Sequence, residues 1–316
     1  MTRRGTGTLA AAGVLAVLVG TLLLRAQGPG DAGSPVPVPV AVDVPVAVDA
    51  EPVLVEVVPV VAPPPPGDVL AGPPPGPRYD EPPARTAAPA DRWALLVGVS
   101  DYRSPTQDTI GGARDALLVR DSLLAAGWLP DHVRVVTDGA ATGAALREGM
   151  AWLADVAGPG SFAMFHWSGH VKQFGGGSEA LMPVDRRYVR DTEVAAALAG
   201  VQGRLWVDIA GCEADSFSPG LPGDRTLFTG SSAQTEKSYE YPPWRRSVWT
   251  GLVFDLGINQ GKADANRDGR VTIGEALRYA TYDAQRITRD QQPYGRQTPQ
   301  VSGDPVLGWT LDAPPA

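Results

Sequence analysis

A single cysteine, Cys212, and three histidines, His132, His166 and His170, are the residues here whose types suit nucleophilic chemistry. A thiolate attacks a carbonyl carbon, and an adjacent imidazole can bring a thiol from a pKa near ~8.5 into the range ~3.5–7.5. Cys212 has no second cysteine to pair with, and it follows the apolar run Arg204–Ile209 in Val207-Asp208-Ile209-Ala210-Gly211-Cys212. His170 follows the run Ser161–Trp167 in Trp167-Ser168-Gly169-His170. If those runs are neighbouring strands, both side chains stand on one rim, with His170 as base and Cys212 as nucleophile. His166 lies inside its apolar run and reads as a core histidine, whereas His132, beside Asp131 in a turn, reads as exposed.

A second constellation lies downstream. Asp264-Ala265-Asn266-Arg267-Asp268-Gly269-Arg270-Val271-Thr272-Ile273-Gly274-Glu275 fits the pattern D-x-[DN]-x-[DN]-G-x5-E at every specified position. Asp264, Asn266, Asp268, the Arg270 carbonyl, Thr272 and a bidentate Glu275 supply about seven oxygens, a number that suits Ca²⁺ better than Mg²⁺. Thr272 to Glu275 is also a capping box for a following helix, and the two readings are compatible. Arg267 and Arg270 reduce the loop's negative charge, so a weak site of the ~10⁻⁴–10⁻³ M class with a structural role is expected.

The elements that must position these residues occupy the second part of the chain. It has 316 residues, 43% apolar and 20% charged, with net charge −8 and pI near 4.9. Without a Lys/Arg run there is no footprint for a phosphate backbone, so nucleic acid is excluded as a partner. Residues 1–30 read as an export segment: Arg3 and Arg4 precede an uncharged run from Gly5 to Leu24. It is either a cleaved signal or a membrane anchor with its N-terminus inside. An extracytoplasmic protein, anchored or secreted, is expected. Residues 31–90 hold 17 prolines and read as an extended linker or stalk. Residues 91–316 form the working domain, the loop 264–275 included. Strands are expected at Trp93–Val99, Val133–Thr137, Ser161–Trp167, Arg204–Ile209, Thr226–Thr229 and Val306–Leu311. Helices are expected at Ala113–Ala126, Thr142–Val156, Thr192–Leu198, Ser247–Leu256 and Ile273–Ile287. Such alternation implies an α/β fold, a mostly parallel sheet with helices on both faces, whose chemistry lies beyond the carboxyl ends of its strands. Arg186, Arg187 and Arg190 form a basic loop, open to reading as a processing point or as solvated arginines.

From Arg92 onward the chain resembles the caspase/metacaspase-like cysteine peptidases. The resemblance is carried by WALLVGVSDY, GGARDALLVRDSLLAAGW, VRVVTDGAAT, SFAMFHWSGH and ALMPVD, in that order, and by Cys212 lying 42 residues after His170. It implies a caspase-like six-stranded fold, a peptide or protein substrate, His170 as general base and acid, and Cys212 as nucleophile. It also implies an oxyanion hole made by the Cys212 amide and an amide near His170. Two positions depart from the family: Val171 stands where glycine usually follows the histidine, and Ala210 where an acid usually precedes the cysteine by two. The acids that could replace the latter in binding substrate are Asp208, Glu213 and the loop residues Glu236 and Glu240. The reading is an exported cysteine endopeptidase with a Cys-His dyad and a structural calcium site. The alternative is a catalytically inactive, calcium-stabilised binding or scaffold domain of the same fold.

Overall fold

The computed structural model describes residues 88–312 apart from 175, 176 and 292. The expected export segment and nearly all of the proline-rich stretch lie outside the described residues. Among the described residues, no helix is long and apolar enough to cross a membrane.

In chain order the elements are β1 (Arg92–Gly98), α1 (Gly112–Ala125), β2 (Val133–Thr137), α2 (Gly143–Val156) and β3 (Phe162–Ser168). Then come β4 (Val171–Phe174), β5 (Ser178–Leu181), β6 (Val189–Arg190), α3 (Asp191–Leu198), β7 (Arg204–Ala210) and β8 (Thr226–Gly230). Last are β9 (Glu240–Tyr241), β10 (Arg246–Ser247), α4 (Val248–Thr250), which runs on as a π-helix over Gly251–Asn259, α5 (Ile273–Ile287) and β11 (Gln300–Ser302). The main sheet has six strands in the order β11-β8-β7-β3-β1-β2. All neighbours are parallel except β11, which runs antiparallel to β8. This is the mixed α/β architecture expected.

Strand periodicity sorts the core into two layers, because successive side chains point to opposite faces. Ala94, Leu96, Phe162, Met164 and Trp206 join one cluster with Ala116, Val119 and Leu123 of α1 and with Leu277 and Ala280 of α5. Leu95, Val97, Phe165, Trp167, Val207 and Ile209 join the other, with Leu146, Met150 and Leu153 of α2 and Val194 and Leu198 of α3. The three-and-four spacing on α1 and α2 is that of a helix burying one stripe. The start of α1 is pressed against the end of β1: a Cβ on Gly98 would lie 2.2 Å from the Gly112 carbonyl oxygen, and one on Gly112 2.1 Å from that of Val99. Glycine at both positions lets α1 begin directly beside the rim.

The sixth strand is not where the apolar run pointed. Residues 306–311 form no strand, being a turn up to 308 and irregular after it; Val306 and Leu311 are buried in the first core, while the Trp309 and Leu307 carbonyls accept from Ile273 N and Gly274 N at the start of α5. Their apolarity reflects packing rather than pairing. The strand that closes the sheet is the more exposed β11, which offers no such signal. A small antiparallel sheet, β4-β5-β6, follows His170 directly and was not anticipated.

Candidate active site

β3 and β7 pair in parallel with Ser168 opposite Ala210, so His170 and Cys212 each lie two residues past the last registered pair on adjacent strands. The two exits stay in contact. Gly169 N donates to the Ala210 carbonyl at 3.2 Å. A Cβ on Gly211 would lie 2.8 Å from Val171 Cγ2 and 3.0 Å from the Gly169 carbonyl oxygen. Val171 therefore packs into the space that glycine leaves at 211, and it opens β4 without the left-handed backbone that would demand glycine at 171.

His170 is gripped from several directions. Its amide donates to Tyr102 Oη at 2.9 Å, its carbonyl accepts from Met182 N at 3.1 Å, and the Tyr102 ring lies 4.6 Å from the imidazole between centroids. Nε2 is 2.7 Å from the Gln107 carbonyl oxygen. A carbonyl only accepts, so Nε2 carries the proton and Nδ1 holds the lone pair. Nδ1 is buried with no hydrogen-bond partner. Burial depresses the imidazole's pKa; the Gln107 carbonyl and Asp108 oppose this, and Lys237 adds to it. Burial thus disfavours the imidazolium, while the Gln107 carbonyl favours the Nε2–H tautomer.

Cys212 is 2% exposed, and Ser238 N donates to its Sγ at 3.4 Å. Cys212 lines a small cleft together with Gly169, Ser168, Ala210, Ser247 and Glu240. Glu240 is buried, its carboxylate accepting from Ile110 N at 2.8 Å and from Gly111 N, at the start of α1. Burial pushes its pKa up to about 7 against the pull of those two amides, with Asp115 raising it further and Arg114 lowering it. Behind the cleft, buried Asp115 accepts from Ser168 Oγ at 2.7 Å and from Ser247 N, and burial raises its pKa as well.

The family model of the caspase domain matches residues 91–293. The chain belongs to the caspase-domain family. The crystal structure of a Geobacter sulfurreducens protein shares the fold, with TM-score 0.50 and 15% identity over 71% of this chain and 99% of its own. No curated protein matches the chain.

Within this caspase domain the sequence-named acids part company. Only Glu240 reaches the cleft. Asp208, expected to bind substrate, does not line it: it is fully buried, bonded to His166 Nδ1 at 2.7 Å through one oxygen and to Thr229 Oγ1 and Trp249 Nε1 through the other. It shares a face of β7 with Ala210 but lies two residues deeper in the sheet. Glu213 is absent from the cleft lining; it pairs with Lys237 at 2.9 Å. Glu236 holds Thr298 through its backbone N and side-chain Oγ1. His166 is the core histidine expected, whereas His132 is half-buried and stacked on Trp93 at 3.5 Å rather than exposed. Nor are the amides nearest His170 open to an oxyanion: Gly169 N is on Ala210 and His170 N on Tyr102.

In the loop 264–275, Asp264 accepts from Asp268 N and Gly269 N, Asn266 Oδ1 from Asp268 N and Asp268 from Arg270 N. Glu275 stands apart, held by Thr272 N and Oγ1 in the capping box of α5. Among the described residues, no group of three His, Cys, Asp or Glu side chains is placed to hold a metal.

Sequence reasoning missed Tyr102, Gln107, Asp115 and Ser238. Tyr102 and Asp115 lie inside segments that carry the family resemblance, and that was their signal. Gln107 and Ser238 act through backbone groups, for which side-chain identity carries none.

Proposed function

We propose that the chain is a cysteine endopeptidase in which Cys212 attacks and His170 moves the protons. The observation that carries this reading is that His170 and Cys212 each stand two residues past the last registered pair of adjacent parallel strands, with His170 Nε2 on the Gln107 carbonyl and Nδ1 left without a hydrogen-bond partner. Nδ1 takes the Sγ proton. The thiolate then adds to the scissile carbonyl carbon. As the C–N bond breaks, the imidazolium gives its proton to the leaving amine and a thioester remains. Water, losing a proton to Nδ1, attacks the thioester, and the proton returns to sulfur as the acid leaves. With Ala210 unable to supply charge, Glu240 supplies it at the cleft wall, which favours Arg or Lys at the cleavage position.

Two further parts of the proposal rest on sequence. Arg3, Arg4 and the uncharged run to Leu24 support export, with the proline-rich stretch as a spacer. The oxygen spacing of 264–275 supports weak calcium binding by Asp264, Asn266, Asp268, the Arg270 carbonyl, Thr272 and Glu275, once Glu275 turns from Thr272. Calcium there ties α5 to the preceding segment. Raising calcium from zero to about ten times its dissociation constant then adds about 1.4 kcal/mol of stability, and Glu275→Gln abolishes the increment.

The deciding experiment incubates the protein with fluorogenic peptides ending in Arg, Lys or Asp, with calcium present and Cys212→Ala as control. Cleavage of the basic peptides that vanishes in the variant supports the reading. The low exposure of Cys212 favours the inert scaffold instead, and absence of Cys212-dependent cleavage with all three peptides selects it.

A further inference from the structure

The tautomer of His170 depends on a carbonyl from the irregular segment 99–110 between β1 and α1. Side chains pin both ends of that segment. Asp138 accepts from Ser100 N and Asp101 N at 2.7 and 3.0 Å, Asp108 accepts from Tyr102 N at 2.8 Å, and Thr109 Oγ1 donates to the Val99 carbonyl at 2.7 Å. The middle is bound from another part of the fold. Arg186 Nη2 donates to the Arg103 carbonyl at 2.7 Å and Nε to Thr106 Oγ1 at 3.2 Å. Thr106 N closes a turn onto the same Arg103 carbonyl at 3.3 Å, and Gln107 is the next residue. The guanidinium therefore spans the turn that delivers the carbonyl to Nε2.

Arg186 is itself held in place. It ends a turn closed by its amide on the Pro183 carbonyl at 2.9 Å, with φ at +57°, a conformation costly for a side chain other than glycine. Val184 N bonds to the Ala141 carbonyl, and Asp185 accepts from Gly143 N. The same stretch begins at Met182, whose amide donates to the His170 carbonyl. One segment, 182–186, thus touches the base directly and also holds the loop that orients it. The charged groups acting on the imidazole are Asp108 and Lys237. Arg186 reaches it through the loop.

We propose that Arg186 is a positioning residue for the His170 base: its guanidinium clamps the Arg103–Thr106 turn, so that the Gln107 carbonyl stays on Nε2 and the Nδ1 lone pair remains available. This rests on the peptidase reading above. Arginine suits the task because its planar fork donates in two fixed directions, whereas a lysine ammonium is a single point donor.

The test compares full-length wild type with Arg186→Ala, Arg186→Lys and His170→Ala. Iodoacetamide alkylation of Cys212 is followed from pH 5 to 9, and kcat and KM are measured on the basic peptide. Misplacing the base by about 1 Å costs on the order of a hundredfold. Arg186→Ala is therefore expected to lose ten- to a hundredfold in kcat with KM within about twofold, and to move the alkylation profile towards that of His170→Ala. Arg186→Lys recovers part of both. If Arg186→Ala does not fold, Thr106→Val, which removes one acceptor of the fork, carries the same expectation at reduced size. Alkylation and kcat like wild type in the folded Arg186 or Thr106 variants, while His170→Ala alters both, overturn the clamp and leave the peptidase standing. An alkylation profile unchanged in His170→Ala overturns the peptidase reading, and the clamp with it.

Discussion

The two faces of β3 and β7 present different interiors. On one, Phe165, Trp167, Val207 and Ile209 meet α2 and α3 in an apolar layer. On the other, His166, Ser168 and Asp208 alternate with Met164, Trp206 and Ala210 and carry a buried polar network. His166 bonds to Asp208; Asp208 accepts from Thr229 Oγ1 at 2.6 Å and Trp249 Nε1 at 2.8 Å; Thr229 Oγ1 accepts from Trp206 Nε1 at 2.8 Å. Ser168 continues the layer to Asp115 and so to Ser247. The apolar face needs only the right volume. The polar face has directional requirements that join β3, β7, β8, α1 and the start of α4, and it reaches the cleft at Ser168 and Ser247. Both faces are core, but only the polar one ties the rim to fixed directions.

The largest effect should come from breaking the polar face on one side only. Asp208→Ala leaves His166 and the Trp249 and Thr229 donors buried without their acceptor, and is expected to cost about 3–5 kcal/mol in urea unfolding. Replacing His166 and Asp208 together by leucine should recover part of that loss, because the stranded imidazole is removed while the Trp249 and Thr229 donors still lack their acceptor. Peptide cleavage should remain low in the double variant. Recovered cleavage would show that the network contributes stability alone.

Glu240 sharpens the same contrast through pH. Its pKa rises from 4.5 to about 7 on folding, so the folded state favours the protonated acid. That contribution is fully present below about pH 4 and is lost as pH rises through about 7; on the order of 3 kcal/mol is at stake. Glu240→Gln should flatten this part of the stability–pH curve, measured as its difference from wild type between pH 4 and 8. Affinity for a basic peptide should move oppositely, with KM falling above pH 7 in wild type and level in the variant.

The smallest effect belongs to the apolar face. Ile209→Val should cost about 0.5–1.5 kcal/mol and leave kcat/KM unchanged, although residue 209 is only three positions from the cysteine. A loss of activity there would mean that the rim is set by both faces.

The same contrast explains what could be read from the sequence. The apolar runs of β1, β2, β3, β7 and β8 and the stripes of α1 and α2 are visible because hydrophobic period reports burial. His170 and Cys212 could be placed because each follows such a run. Residues 306–311 misled because burial alone cannot distinguish a strand from a packed turn, and β11, polar and exposed, leaves no mark. Asp208 misled because nearness to Cys212 in sequence says nothing about depth: it shares a face of β7 with Ala210, which lines the cleft, but lies two residues further into the sheet beside buried Trp206. The Gln107 carbonyl and the Arg186 clamp were not legible, since one is backbone and the other arises from two loops brought together only by the fold.

The central claim is that Cys212 is a nucleophile made reactive by His170. A peptide halomethyl ketone ending in arginine tests it directly, with intact-protein mass spectrometry reading adduct formation over time at pH 7. The account predicts one adduct, mapped to Cys212, absent in Cys212→Ala and formed at least tenfold more slowly in His170→Ala. An adduct that forms equally fast without the imidazole, or none on the wild-type protein, would contradict it.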